Sequence, residues 1–148
     1  MFEGSWNIKS RARSLQLTFV NTLKKEVNFL GDHFDSGVWY KNWQPVIPGM
    51  SIQQGEVANR QGSWFTGVTG GFKLQIQGEN TFIYLGFNNP YAGGYKNFIE
   101  ITSNNNNPRY GYDKSVNNSP KLSNFKNYRL RVVQTQSSIC QMAFVYTL

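Results

Sequence analysis

The chain predicts an all-β fold, a single-domain two-sheet sandwich, and three observations carry that expectation. Apolar and polar residues alternate with period two in several short runs, which puts one strand face in the core and the other in water. Turn residues interrupt the chain at short intervals, as strand connections require. No window keeps a helical period over a useful length, because Gly, Pro, Asn and β-branched residues break each one. Together they indicate a sandwich of roughly eight to ten strands.

The elements follow in chain order. In "SLQLTFV", Leu15, Leu17 and Phe19 alternate with Gln16 and Thr18. "NTLKKEV" turns into a second strand near Val27–Leu30, and "GDHFDSG" reads as a polar turn. "SGVWYKNWQP" and "QGSWFTG" read as aromatic loops. Phe72, Leu74 and Ile76 alternate with Lys73 and Gln75, and "QGEN" turns that strand into Thr81–Phe87. The second of these is apolar on both faces and is expected at the centre of a sheet. "FNNPYAGGYKNFIEI" is a loop entering a strand at Phe98–Ile101. An Asn-rich segment from Thr102 to Asn127 follows, with "SNNNNP" as a mobile tip and "RYGYDK" as an aromatic-basic loop. A closing hairpin runs Tyr128–Gln134, a turn near Gln136–Ser138, then Ile139–Tyr146. Residues 1–13 form a short N-terminal extension, and residues 14–148 form the sandwich.

Composition narrows the function. The 148 residues suit one domain with one core. Hydrophobic residues make up 39 %, which argues against wholesale disorder. Net charge is +7, so anionic or zwitterionic partners are expected. The one cysteine, Cys140, excludes an internal disulfide and is expected as a buried, inert thiol. "MFEGSWNIKS" lacks the apolar stretch of a signal peptide, and no run approaches a membrane-spanning helix. A soluble protein is expected, exported by a non-classical route or released, and then associated with membranes.

Catalytic chemistry finds little to build on. The acidic residues are scattered, and His33, the sole histidine, stands between Asp32 and Asp35 at a spacing that signals a metal only weakly. No phosphate-binding glycine loop, helical His-Glu pair or Cys cluster is present, so no enzyme activity, metal or cofactor is expected. Binding remains. Trp39, Tyr40, Trp43, Trp64, Tyr91, Tyr95, Tyr110 and Tyr112 fall in expected loops, with Lys41, Lys96, Arg109 and Lys114 beside them. Tyr and Trp suit surfaces apolar at one end and wet at the other, as at lipid headgroups, and the cations suit lipid phosphates. A plain turn has no need of the two tyrosines flanking Ala92-Gly93-Gly94.

The ordered series "HFDSGVW", "PVIPG", "FTGVTGGFKLQI" and "ENTFIYLGFNNPYAGGYKNFIEI" resembles the actinoporin-like and aegerolysin superfamily of small β-sandwich cytolysins, over about Ser14–Ile101. The resemblance implies binding of membrane lipids, often sphingolipids, within a cytolysin or pore-forming toxin system. It maps the headgroup pocket of actinoporins onto Thr69, Asn88, Pro90 and Tyr95, with Tyr110 and Tyr112 as the later tyrosines. Thr69 and Asn88 depart from the family's Val and Ser. "MFEGSWNIKSRAR" is too short and polar for the amphipathic pore segment of actinoporins. The chain is therefore more similar to the aegerolysin-like branch, which implies action with a larger pore-forming partner or as an oligomer. Fungal fruit-body lectins share this sandwich, so glycan binding is the rival expectation. Lys and Arg are spread along the chain rather than clustered, and no nucleic acid is expected.

Overall fold

The structure is a computed structural model that describes residues 13–60, 62, 66–117, 120–135 and 140–148. The strands are β1 (Ser14–Asn21), β2 (Val27–Ser36), β3 (Val38–Lys41), β4 (Val46–Ile47), β5 (Ser51–Ala58), β6 (Val68–Ile76), β7 (Phe82–Asn89) and β8 (Lys96–Thr102). A helix, α1 (Arg109–Ser115), precedes β9 (Leu122–Phe125), β10 (Tyr128–Thr135) and β11 (Cys140–Thr147). Six strands form one sheet in the order β3-β5-β1-β11-β10-β9. Five form the other in the order β4-β2-β6-β7-β8. The all-β sandwich is thus observed.

Alternation explains the core. Leu15, Leu17 and Phe19 of β1 are buried, and so are Phe72, Leu74 and Ile76 of β6 and Ile83, Leu85 and Phe87 of β7. β7 lies between β6 and β8, the central place its two apolar faces require. The inner face of the core is aromatic: the Trp39 and Phe72 rings stack at 4.7 Å between centroids, and Phe29, Phe34, Trp43 and Phe87 pack edge-on to Phe72. Each such buried ring contributes about 1.5–3 kcal/mol of hydrophobic stabilisation.

The outer faces of β6 and β7 are also covered, and glycine is the reason. Gly71 and Gly86 are register partners. A Cβ on Gly86 would lie 2.0 Å from the Gly111 carbonyl oxygen, and one on Gly71 would lie 2.5 Å from that of Pro108. The backbone of α1 therefore rests directly on the sheet, a close approach that any side chain at these positions would block.

Several expectations change. "RYGYDK" is helical rather than a loop, because Gly111 lets its backbone meet the sheet. "GDHFDSG" is not a turn: Asp32, His33 and Asp35 lie within β2, which runs to Ser36. "SNNNNP" is held at several points. The Tyr84 hydroxyl donates to Asn104 O (2.7 Å) and accepts from Asn106 N (2.6 Å), and Lys73 donates to the Asn105 side chain. Cys140 opens β11 partly exposed rather than buried, although burial still pushes its thiol pKa up. The turn at 136–138 and residues 1–12 lie outside the described residues.

Candidate functional site

One end of the sandwich gathers Thr69, Asn88, Pro90, Tyr91, Tyr95 and Lys96 of the candidate binding residues. Register places the start of β1 beside the end of β5, through Ser14↔Ala58. It places the end of β2, the start of β6, the end of β7 and the start of β8 in one row, Ser36↔Thr69↔Asn88↔Lys96. Hydrogen bonds tie the two sheets at this end: Asn89 Nδ2 donates to Ser14 O (2.9 Å). Nearby, Ser36 Oγ donates to Gly67 O (2.9 Å). A cleft of about 260 Å³ opens between them, lined by Phe34, Asp35, Ser36, Gly37, Arg60 and Thr66.

The loop between β7 and β8 crowns this end. Residues 91–94 are exposed, and Tyr91 keeps 42 % of its surface open to solvent. Gly93 has a φ of 103°, in the left-handed region that glycine enters without penalty, and it turns the chain back toward β8. The loop is anchored on its inner side by Tyr95, which is 5 % exposed and donates its hydroxyl to Gln141 Oε1 in the other sheet. Burial, and then the nearby Cys140, push the Tyr95 hydroxyl pKa well above that of a free tyrosine. The two tyrosines thus divide the work: Tyr95 fastens the loop and Tyr91 is presented.

Arg13 braces the loop from the side. Its Nε donates to Pro90 O (3.1 Å), its Nη2 donates to Tyr91 O, and its guanidinium lies over the Tyr91 ring, 5.5 Å from the centroid. Its backbone is paired with Asn59, which accepts from Arg13 N at its side-chain oxygen (3.2 Å) and donates its own N–H to Arg13 O (3.0 Å).

The expected binding set is spread over several parts of the structure. Asn88, Pro90, Tyr91 and Lys96 meet at this end, with Asn88 and Pro90 half-buried and Lys96 exposed. Thr69 shares their row but is buried, so it is not an open contact; its hydroxyl has no hydrogen-bond partner among the described residues. Trp39, Trp43 and Tyr95 are core residues rather than loop-borne contacts. Trp39 is 2 % exposed and donates Nε1 to Asp32 (2.8 Å); Trp43 donates Nε1 to Leu17 O (3.0 Å). Their indoles bury a large apolar body and still satisfy the N–H, which is the condition for a tryptophan core. Tyr40 and Lys41 lie on β3, at the edge of the six-stranded sheet. Trp64 lies outside the described residues.

Tyr110, Tyr112, Arg109 and Lys114 belong to α1 on the flank. Tyr110 packs edge-on to Tyr84 and Phe98 and donates to Glu100 (2.9 Å); burial, and then that carboxylate, push its pKa up to about 12. Lys114 lies over the Tyr110 ring, 5.7 Å from its centroid. Tyr112 packs on His33 and bonds to Asp35; burial, and then that bond, raise its pKa. Arg109 pairs with Asp113 (3.1 Å). These side chains dock or border the helix. His33 and Asp35 therefore face α1, whereas Asp32 takes the Trp39 N–H. Among the described residues no group of three or more His, Cys, Asp or Glu side chains is placed to hold a metal ion.

Sequence reasoning missed Arg13 and the helix. Arg13 carries no motif. The helix had a signal in the glycines of "VTGGF" and "YLGF", since glycine inside a bulky apolar strand marks the close approach of another backbone.

No family model matches the chain, and no curated protein matches it significantly by sequence. Among solved structures, the lipid binding protein Nakanori has the same fold, with a TM-score of 0.73 over 89 % of this chain and 69 % of that one, at 10 % sequence identity.

Proposed function

We propose that this chain is a membrane-lipid-binding module, and that the end of the sandwich bearing Tyr91 is the surface that meets the lipid. The observation that carries the reading is Tyr91 itself: an exposed ring on a short Gly93-turned loop, fastened by buried Tyr95 and bordered by Arg13 and Lys96. A tyrosine so placed seats its ring at the boundary between headgroups and acyl chains while its hydroxyl stays hydrated. Adjacent cations attract the phosphates. The fold shared with a lipid binding protein supports the reading. Within it, the module serves a cytolysin or pore-forming toxin system by delivering a partner, or copies of itself, to a membrane. No helix among the described residues is long and apolar enough to cross one.

Cosedimentation with vesicles of phosphatidylcholine, sphingomyelin-cholesterol or phosphatidylserine tests this. Tyr91→Ala should reduce binding about tenfold, in line with the roughly 0.5–2 kcal/mol that an interfacial aromatic contact is worth. The melting temperature should hold, because the ring is exposed. Failure of the unmutated protein to bind any of the three compositions rejects the reading.

A second reading has one observation in its favour. The outer side of β3 and β5 carries a shallow cleft of about 430 Å³ lined by Lys41, Asn42, Gln44, Ile52, Gln53 and Gln54, an amide-rich wall suited to sugar hydroxyls. A glycan-array signal competed by free sugar and lost in Gln54→Ala would move the function to that cleft.

A further inference from the structure

We infer that the outer face of the six-stranded sheet is a docking surface for a partner protein whose own face is apolar and acidic. This surface is distinct from the end that bears Tyr91, and the inference stands whether or not that end binds lipid.

The face is apolar where it is open. The row Ile52–Val20–Phe144–Arg131–Leu122 runs across five strands, and Met142 and Val133 lie in the next outward row. Ile52, Leu122 and Val133 are 59, 45 and 37 % exposed. Among the described residues no helix packs over them. With about 4.8 Å between strands and about 3.3 Å per residue, the sheet presents roughly 600 Å². Each partner in a standard interface gives about 800 Å², so the face is of the right order for one protein contact.

Charge decides the occupant. The six strands hold one acidic residue, Glu56, and register sets it opposite Lys41. Arg129 and Arg131 on β10 therefore have no carboxylate in their own sheet to spare for them. Arg129 donates to the neutral Asn124 side chain (2.9 Å), and Arg131 has no ion pair among the described residues.

A second copy of the chain would bring the same two cations, because a twofold interface sets one patch against itself. A membrane would have to take in Gln16 and Gln54, exposed on the adjoining rows, and lipid tails give their amides no partner. A protein face with carboxylates among apolar side chains answers all three features. It covers the apolar row, pairs the arginines and hydrogen-bonds the amides. An arginine fork also takes a carboxylate at two points, which fixes the orientation of the partner.

The test uses the full chain as bait for a yeast-displayed library of small helical domains, each with one randomised face. The selected binders should carry Asp or Glu beside Leu, Ile or Phe on that face. Their affinity should fall about tenfold with Arg131→Glu and less with Val133→Gln, at unchanged melting temperatures. It should also weaken as salt is raised. Should Arg131→Glu fold poorly, Arg131→Gln decides, with a smaller loss of the same sign. Binders that keep their affinity in both variants, or that show no excess of acidic residues, overturn the inference. A dimer of the unmutated protein in sedimentation velocity that Val133→Gln dissolves also overturns it, since a second copy then covers the face. So does loss of phosphatidylserine-vesicle binding in Val133→Gln, since a membrane then covers it. The display experiment contains no lipid, so its outcome and that of the Tyr91 test are read separately.

Discussion

The two sheets turn opposite kinds of surface outward. Behind the five-stranded sheet, the row His33–Gly71–Gly86–Phe98 is bare of bulk in the middle and aromatic or imidazole at its ends. α1 lies across the glycines, with Tyr112 on His33 and Tyr110 on Phe98. Behind the six-stranded sheet, the row Ile52–Val20–Phe144–Arg131–Leu122 crosses five strands, and among the described residues no helix packs over it. Ile52 is 59 % exposed there. Strands with one dry face keep the apolar–polar alternation in their sequence, as Leu15–Phe19 of β1 do. Strands with two dry faces lose the alternation and acquire glycine where a second backbone arrives, as β6 and β7 do.

The strongest way to break this contrast is Gly86→Val. Its side chain would start 2.0 Å from the Gly111 oxygen, which is backbone and cannot move aside without lifting the helix. Overpacking of this kind costs up to about 3 kcal/mol, or roughly 6–12 °C of melting temperature for a domain of this size. Calorimetry should show that fall, and tryptic cleavage within residues 109–117 should rise.

Tyr84→Phe sharpens the same comparison at the helix entry. The lost hydroxyl leaves Asn106 N and Asn104 O without their partner, at a cost of about 1–2 kcal/mol. Hydrogen exchange should quicken at residues 104–107 and stay unchanged on β1 and β11.

Alkaline pH tests the helix face from another direction. The Tyr110 hydroxyl is pushed up to about 12, above the ~10 of an unfolded tyrosine. The folded chain keeps that proton while the unfolded chain releases it. Stability is therefore full below pH ~10 and declines as pH rises toward 12. Tyr128, donating to Glu79, is pushed up to about 12 as well and adds to the same decline. Guanidinium midpoints between pH 9 and 11 should fall, and Tyr110→Phe should flatten part of that slope.

The smallest effect belongs to the open face. Ile52→Gln removes an exposed apolar group over which no helix packs among the described residues, and its unfolding free energy should stay within about 0.5 kcal/mol of the unmutated protein.

The contrast also explains what was legible in the sequence. Leu15, Leu17 and Phe19 announce their face by period two, and Thr81–Phe87 announces a central strand by having no wet face. Trp39, Trp43 and Tyr95 misled because an aromatic near a turn looks alike whether its ring points into the core or outward. Only the partners decide: Asp32, Leu17 O and Gln141 satisfy the three polar tips inside. Asn88, Pro90, Tyr91 and Lys96 could be placed together because they are close in sequence. Arg13 could not, since it lies 78 residues from Tyr91 and acts through backbone carbonyls, which leave no trace in side-chain pattern.

The middle of the six-stranded sheet is a parallel pair, β1 with β11. Thr22 and Val145, bonded at 2.8 Å, are 123 residues apart. A ribosome delivers the first of these long before the second, at about 5–20 residues per second. The five-stranded sheet needs only residues 27–102 and can assemble while synthesis continues. The β3-β5-β1 half of the other sheet must wait, with one edge of β1 open, until β11 emerges to join it to β10 and β9. Completion of the sandwich is thus tied to the last of its own strands to be translated. A nascent chain halted before Cys140 would carry an unpaired, apolar-backed edge into the cell, a ready substrate for holdase chaperones and for the wrong strand.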